Sequence, residues 1–189
     1  MLIYIHGFNS SPASTKARQL RARLQALGRS GEYRCPALPD RPSQAIRLLE
    51  GEMQGSAPSA VTLVGSSLGG YYATWLAERT GCRAVLVNPA ITPHVGLRAY
   101  LGPQRNLYTG EPYELTEQHL QEMAALLVPE PTALARYYLM VTTGDEVLDY
   151  REALTKYAGA RQLVIQGSDH GFAEFEQYLD TVLEFAGVA

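Results

Sequence analysis

The feature that most constrains the fold is a glycine-rich turn, Gly65-Ser66-Ser67-Leu68-Gly69, which joins an apolar run to a helical pattern. The run Val61-Thr62-Leu63-Val64 precedes the turn and predicts a buried strand. In such a strand–turn–helix unit the glycines let the backbone approach itself closely, and the central serine is exposed at the helix N-terminus. The G-x-S-x-G spacing therefore predicts that Ser67 is a nucleophile.

The same turn has two other interpretations. A glycine-rich turn can serve only to cap a helix, and one between a strand and a helix can also bind phosphate. The sequence has neither the G-K-[ST] ending of a P-loop nor a clean G-x-G-x-x-G pattern. Nucleotide binding is therefore the weaker alternative, and the choice between nucleophile and cap depends on finding a base and an acid.

Short β-branched and apolar runs alternate with helical patterns along the chain. Predicted strands cover residues 2–6, 33–36, 61–65, 84–88, 138–143 and 162–166. Predicted helices cover residues 41–53, 68–78, 149–157 and 172–186, and a further helix follows Ser11-Pro12, with one face made of Ala13, Ala17, Leu20, Leu24 and Leu27. This alternation predicts a parallel sheet between helices, and 189 residues suffice for one core, so we expect a single domain over 1–189.

The segment 91–136 is too long for one crossover connection and is rich in proline and glycine. We interpret it as a short helical cap inserted into the domain, because long loops in compact domains are usually functional. Residues 115–128 are predicted to be helical, and Tyr100, Tyr108 and Tyr113 are predicted to lie in irregular structure. The inward face of that helix is expected to consist of Leu120, Met123, Ala124 and Leu127.

A base is expected in Gly167-Ser168-Asp169-His170-Gly171, which follows the last predicted strand. Ligand sites in parallel sheets lie beyond the carboxyl ends of the strands, and His170 is flanked there by small residues. The other three histidines have simpler explanations. His6 ends a strand, His94 belongs to the cap, and His119 occupies a helix position that we expect to be exposed.

The carboxylate that orients this histidine should follow the preceding strand, where Asp145, Glu146 and Asp149 occur. Asp145 is nearest to the strand end and is predicted to accept the Nδ1–H of His170, which leaves Nε2 free to take the proton of Ser67. Asp149 has a structural explanation as a helix cap, since Glu152 follows it three residues later. An aspartate after glycine is also common in turns, so the assignment of Asp145 depends on Ser67 and His170.

An acyl-transfer site also needs donors for the developing oxyanion. The backbone N–H of Leu68, which follows the nucleophile, is one predicted donor. The N–H of Phe8, in the loop after the first strand, is the second. The residues expected to line a substrate pocket are His6, Asn9, Ser66, Tyr108 and Tyr113.

Charge and composition restrict the partners. The net charge of −3, with scattered Lys and Arg, predicts neither nucleic-acid nor membrane binding. Cys35 and Cys82 fit neither a disulfide framework nor a metal site, which favours a reducing cytoplasm, and the N-terminus begins directly with strand-like sequence. We expect no metal and no organic cofactor, and a small acyl ester as substrate; the oligomeric state is not defined by the sequence.

Taken together, these blocks resemble the α/β-hydrolase superfamily and, within it, the small bacterial YqiA-type esterase family. The resemblance is carried by I-Y-I-H-G-F-N-S-S-P at the start, G-S-S-L-G-G-Y-Y-A at 65–73, V-N-P-A at 87–90, T-G-D-E-V-L-D-Y at 143–150 and G-S-D-H-G-F at 167–172. It implies esterase activity on short acyl esters and a triad of Ser67, Asp145 and His170. It also implies a six-stranded parallel sheet in the order 2-1-3-4-5-6, because the first two strands of larger relatives are absent. The H-G-G-G motif of some relatives is missing here, so the second oxyanion donor rests on Phe8.

Two further hypotheses remain beside a carboxylic-ester hydrolase. The same triad would serve a thioesterase or another acyl hydrolase. A non-catalytic scaffold of this fold could instead bind a ligand or protein through the cap, although such a protein has no need for Ser, Asp and His in the order that catalysis requires.

Overall fold

The structure is a computed structural model that describes residues 1–188, and its centre is a six-stranded parallel sheet. The strands are β1 (Leu2–Ile5), β2 (Tyr33–Arg34), β3 (Thr62–Ser66), β4 (Arg83–Val87), β7 (Tyr137–Thr142) and β8 (Arg161–Ile165); β5 (Gly102–Arg105) and β6 (Pro112–Leu115) form a separate antiparallel hairpin. The sheet order is β2-β1-β3-β4-β7-β8, which confirms the predicted order. Each neighbouring pair is parallel, so all six strands end at one edge.

Helices cover both faces of the sheet, as the fold class predicts. They are α1 (Thr15–Ala26), α2 (Pro42–Met53), α3 (Leu68–Thr80), α4 (Pro93–Gly96), α5 (Glu117–Ala125), α6 (Tyr150–Lys156) and α7 (Leu179–Ala186). Alternate residues of a strand point to opposite faces. Leu2 and Tyr4 therefore pack with α1 and α7, whereas Ile3 and Ile5 pack with α2, α3, α5 and α6. Because every central strand is buried on both sides, the sheet edge that carries the strand ends is a rigid base for a site.

The first and last helices are shorter than predicted. Helix α1 begins at Thr15 rather than directly after Ser11-Pro12, because the Ser11 hydroxyl accepts the N–H of Ala13 and forms a local turn there. Ala13 and Leu27 are consequently exposed, whereas Ala17, Leu20 and Leu24 are buried as expected. The last helix was predicted over residues 172–186. Phe172 has φ +55°, so residues 172–174 are not helical, and the α-helix begins only at Leu179.

The segment 91–136 is not only helical, because it contains the β5–β6 hairpin. Proline is the first residue of β6 and the second residue of β5. Proline is unfavourable inside a sheet but is tolerated in edge strands, and in a two-stranded hairpin both strands are edge strands. Tyr113 therefore lies in a strand rather than in irregular structure. Helix α5 ends at Ala125, earlier than predicted. Leu120 and Met123 are buried as predicted, but Ala124 and Leu127 are exposed, and Leu126, directly after the helix, is buried instead.

The prediction that His119 is exposed is wrong. Only 3% of this residue is accessible, because its ring caps the start of α5. Nδ1 accepts the backbone N–H of Thr116 at 3.1 Å, and Nε2 lies 3.3 Å from an Asp40 carboxylate oxygen. Among residues 1–188, none of the helices has both the length and the apolar character needed to cross a bilayer.

Candidate active site

The turn around Ser67 connects β3 directly to α3. Ser67 has φ +55° and ψ −120°, a conformation that is strained for a residue with a side chain and that is typical of functional positions. Its N–H donates to the carbonyl of Val87 at 3.0 Å, and its own carbonyl accepts the N–H of Ala90 at 3.1 Å. A Cβ on Gly69 would lie 2.0 Å from the Ile5 carbonyl oxygen, so only glycine permits this packing of the turn against β1. The neighbouring strands thus hold the strained serine in place.

Three polar side chains from different strand ends meet at this turn. The Ser67 hydroxyl lies 3.1 Å from His170 Nε2, and His170 Nδ1 lies 2.8 Å from Asp145 Oδ2. The three residues follow β3, β8 and β7, and these strands end at the same sheet edge. Both distances are within hydrogen-bond range, so the structure brings together the three residues that the sequence singled out.

The ionised form of Asp145 is stabilised by hydrogen bonds. Its side chain is only 1% exposed, and its Oδ1 accepts the N–H groups of Val147 and Leu148, each at 2.8 Å. Burial raises the pKa of this carboxyl group, but the hydrogen bonds from His170 and from the two N–H groups outweigh burial and leave the pKa below its ordinary value. The carboxylate can therefore accept the Nδ1–H and fix the orientation of the ring.

Asp149 lies outside this arrangement. Its side chain is 50% exposed and its Oδ1 accepts the N–H of Arg151 at 3.0 Å, which makes it the N-cap of α6. Glu146, the remaining carboxylate of the segment, accepts the backbone N–H of His170 at 3.0 Å. It thus contacts the backbone of the histidine and not the ring.

The histidine loop, residues 167–172, is held by a buried polar network that the sequence analysis missed. The Asn88 amide donates to the carbonyls of Asp169 at 3.3 Å and His170 at 3.2 Å, and the Thr142 hydroxyl donates to the same Asp169 carbonyl at 2.9 Å. The Asn88 carbonyl oxygen in turn accepts the N–H of Thr142 at 2.9 Å. The only sequence signal was the polar Asn88 at the end of an apolar strand, within V-N-P-A.

A lysine adds a second attachment for this loop. Lys16, in α1, donates from Nζ to the Gly171 carbonyl at 2.6 Å. Burial lowers the pKa of Lys16 to about 8, while the charges of Asp169 and Asp145 oppose that change. The loop is therefore connected to the sheet on one side and to a helix on the other.

Residues 7–10, which include the predicted oxyanion donor Phe8, also lie against Ser67, and we call them the oxyanion loop after that prediction. Gly7 packs so closely that a Cβ there would lie 3.2 Å from the Cβ of Ser67. Within residues 1–188 neither the Phe8 N–H nor the Leu68 N–H, the two predicted oxyanion donors, reaches a hydrogen-bond acceptor. Both residues lie beside open space.

A cavity of about 380 Å³ opens beside these two residues. Three of the predicted pocket residues, His6, Asn9 and Tyr113, line it. Ser66 does not, because the alternation along β3 places its side chain with Val64 on the face covered by α1 and α7. Tyr108 does not line it either, since it lies at the turn of the hairpin and is 49% exposed.

His6 is a buried residue in the wall of this cavity. The N–H of Leu38 donates to Nε2 at 3.2 Å, and Nδ1 lies 3.2 Å from the Gly7 carbonyl oxygen, so Nδ1 carries the proton. Burial lowers the pKa of this histidine, although the bond to Gly7 opposes the shift. His6 is therefore a neutral group that connects the oxyanion loop to residue 38.

Comparison with known proteins agrees with this architecture. Residues 1–187 match an uncharacterised protein family, UPF0227. Among solved structures, the chain is similar to the alpha/beta hydrolase domain-containing protein 10 from mouse, with a TM-score of 0.74, 15% identity, and coverage of 97% of this chain and 89% of the mouse chain. It is also similar to Est1E from Butyrivibrio proteoclasticus (TM-score 0.70, 14% identity, 97% and 85% covered) and to the monoacylglycerol lipase of Paleococcus ferrophilus (TM-score 0.68, 14% identity, 100% and 94% covered). At such identities the similarity shows a shared fold.

Proposed function

Because the chain belongs to the family UPF0227 and has the α/β-hydrolase fold, we propose that it is a serine hydrolase that cleaves carboxylic esters with small or short acyl chains. This membership confirms the resemblance that the sequence motifs indicated. The observation that carries the proposal is the continuous hydrogen-bonded series from Asp145 through His170 to Ser67, with distances of 2.8 and 3.1 Å. That Est1E and a monoacylglycerol lipase share the fold supports an ester as substrate.

The first half of the reaction transfers the acyl group to the enzyme. Ser67 Oγ attacks the carbonyl carbon of the ester while His170 Nε2 takes the hydroxyl proton. Asp145 stays ionised and stabilises the imidazolium. The carbonyl oxygen becomes an oxyanion, which accepts hydrogen bonds from the N–H groups of Phe8 and Leu68. The bond to the alkoxy group then breaks, His170 gives its proton to the leaving alcohol, and the acyl group remains on Ser67.

The second half repeats these steps with water. His170 takes a proton from the water molecule, the hydroxide attacks the acyl carbon, and the Ser67 oxygen leaves as it regains the proton. The products are one alcohol and one carboxylic acid, and no redox partner is needed. The cavity beside Phe8 and Leu68 is the proposed binding site for the substrate, with His6, Asn9 and Tyr113 among its walls.

The test is labelling with a fluorophosphonate probe, followed by turnover of 4-nitrophenyl esters of increasing chain length. We expect the parent protein to be labelled at Ser67 and to prefer the shorter esters, and Ser67→Ala to lose both labelling and turnover. Ser56→Ala is the matched control, since Ser56 is exposed and precedes β3, whereas Ser67 follows the opposite end of that strand. Labelling that survives Ser67→Ala would contradict the assignment, and a preference for acyl thioesters would change the substrate class while retaining the triad. A parent protein that is not labelled and turns over no ester would favour the non-catalytic scaffold.

A further inference from the structure

The oxyanion loop is held from outside the sheet by the β5–β6 hairpin. Tyr113 Oη donates to Asn9 Oδ1 at 2.7 Å, and Asn9 Nδ2 donates to Gln104 Oε1 at 3.1 Å. Gln104 and Tyr113 are directly opposed across the two strands, so their side chains lie on the same face of the hairpin. Both polar groups of the Asn9 side chain are thereby bound by one cross-strand pair.

The backbone of the loop is bound by the turn of the same hairpin. The N–H of Leu107 donates to the Asn9 carbonyl at 2.9 Å, and the Asn106 side chain donates to the Ser10 carbonyl at 2.8 Å. We call Gln104, Asn106, Leu107 and Tyr113 the hairpin clamp. Four hydrogen bonds therefore connect two consecutive loop residues to a segment about 100 positions away in sequence.

The clamp has a conformational consequence. Asn9 has φ +52°, in the left-handed region, which is uncommon for residues other than glycine although asparagine adopts it more readily than most. The preceding residue is Phe8, whose ring packs edge-on against Tyr113 with centroids 6.5 Å apart. On its other side the loop contacts Ser67 through Gly7. The direction of the Phe8 N–H is thus fixed between the serine turn and the clamp.

We infer that Tyr113 and Gln104 are positioning residues that orient the Phe8 N–H toward the oxyanion by holding Asn9 in its left-handed conformation. This inference rests on the proposed function. Removal of an oxyanion donor costs about 10² to 10³ in kcat, and a clamp that only loosens the donor costs less. Since the oxyanion exists in the transition state and not in the bound ester, the loss falls on kcat and leaves KM nearly unchanged.

The experiment measures kcat and KM for Tyr113→Phe, Gln104→Ala and Asn9→Gly. Tyr113→Phe is expected to lower kcat about 10-fold at constant KM. It should weaken binding of an alkyl boronic acid, which forms a tetrahedral adduct on serine, by a similar factor. Tyr33→Phe is the matched control, because it also removes one hydroxyl hydrogen bond, to the Ala17 carbonyl at 2.8 Å, which joins β2 to α1 and involves neither the hairpin nor the oxyanion loop. The control should keep the kcat of the parent protein.

A double-mutant cycle isolates the route through Asn9. Glycine accepts a positive φ, so Asn9→Gly removes the side-chain contacts without forcing the backbone out of its conformation. Adding Tyr113→Phe to Asn9→Gly should cause no further loss of kcat. A full additional loss, or a rise in KM in place of the fall in kcat, would overturn the clamp and make Tyr113 a substrate-binding residue.

Amide hydrogen exchange supplies a readout that does not depend on turnover. Tyr113→Phe and Gln104→Ala should speed exchange of the amides in residues 7–10 and leave those in residues 167–172 unchanged. Unchanged exchange and unchanged kcat in a parent that shows Ser67-dependent turnover would refute the clamp alone. A parent without such turnover would refute the proposed function and the inference with it.

Discussion

The two loops that flank Ser67 are supported in different ways. The histidine loop is bound by Asn88, which directly follows β4, and by Thr142, the last residue of β7. The oxyanion loop is bound mainly by the β5–β6 hairpin, which belongs to the segment inserted between β4 and β7. One loop is therefore supported by the core of the fold and the other by an addition to it.

This difference separates two parts of the proposed chemistry. Proton transfer depends on the position of the histidine loop. Because that loop is bound by residues at the ends of two strands, its position is stable as long as the sheet is folded. Stabilisation of the oxyanion depends partly on a hairpin that packs on the outside. We therefore expect changes in the insertion to alter oxyanion stabilisation and the cavity while the triad stays intact, and changes at Asn88 or Thr142 to affect the triad directly.

The largest expected effect is that of Asp145→Asn. Asparagine keeps the shape of the side chain but favours the wrong imidazole tautomer, and the corresponding change in a serine protease costs about 10⁴ in kcat. We expect a loss of several orders of magnitude in kcat, measured by ester turnover, whereas Asp149→Asn should retain most of the activity. The opposite pattern would transfer the orienting role to Asp149.

The next effect tests the support of the histidine loop. Asn88 has φ +41°, so Asn88→Gly keeps this conformation accessible and removes the amide that binds two loop carbonyls. We expect kcat to fall about 10²-fold, as a misplacement of the base by about 1 Å would cause. The variant also leaves the His170 carbonyl without its donor and the buried Thr142 N–H without its acceptor, which should cost about 1–3 kcal/mol of stability.

A matched variant separates loop placement from general destabilisation in this test. Thr74→Val removes a buried hydroxyl that bonds the Gly70 carbonyl and the Tyr157 hydroxyl, in the core and away from the histidine loop. If Thr74→Val lowers the urea midpoint as much as Asn88→Gly but keeps kcat, the loss at Asn88 is due to the loop. Equal losses of kcat in both variants would mean that the histidine loop needs no support from Asn88.

The third prediction concerns the attachment of the insertion under acid conditions. Glu122 of α5 binds the Arg41 guanidinium and accepts the N–H of Ser43 at 3.0 Å. Burial raises its pKa, but these hydrogen bonds outweigh burial and lower the pKa from an ordinary 4.5 to about 2. The folded state therefore binds fewer protons than the unfolded chain between these values, and the stabilisation is complete above about pH 4.5 and disappears as the pH falls toward 2.

Urea midpoints at pH 6 and pH 3 provide the measurement. The parent should lose stability on acidification, and Glu122→Gln should lose less because its side chain does not titrate. As the pH is lowered, hydrogen exchange of the amides in residues 102–125 should become faster at a higher pH than exchange of the amides in the central strands. An identical drop in parent and Glu122→Gln would show that other carboxylates control acid sensitivity.

The meeting of Ser67, Asp145 and His170 at one sheet edge was predictable because it depends on local patterns at strand ends, whereas the sheet order came from the resemblance to the α/β-hydrolase superfamily. Strand and helix periodicities give the alternation, and parallel topology brings the strand ends to one edge. The hairpin clamp was not predictable in this way. The prolines of the β5–β6 hairpin are unfavourable for strands, and Asn9, the residue that the clamp binds, is about 100 residues away. Neither a local propensity nor a spacing therefore indicates the contact.

The same reasoning explains the error at His119. A polar residue on a predicted amphipathic helix is usually exposed, but His119 satisfies both ring nitrogens, one at the N-terminus of α5 and one with Asp40 from another segment. Burial of a polar side chain depends on such partners. Asn88 is the parallel case in the site, because its partners are backbone carbonyls of a loop about 80 positions later.

The smallest effect is expected at the cap of α6. Asp149 accepts the N–H of Arg151, and loss of an N-cap costs about 0.5–2 kcal/mol, with a half-exposed cap at the lower end of that range. Asp145 is fixed independently by the N–H groups of Val147 and Leu148, so the triad should tolerate a frayed helix start. We therefore expect Asp149→Ala to lower the urea midpoint slightly and to leave kcat within about 2-fold of the parent, since surface changes of this kind alter stability and not geometry.

Asp149→Ser, which retains a capping oxygen, should restore the midpoint. A large loss of kcat in Asp149→Ala that Asp149→Ser does not reverse would mean that the orienting carboxylate needs α6 as well as the sheet.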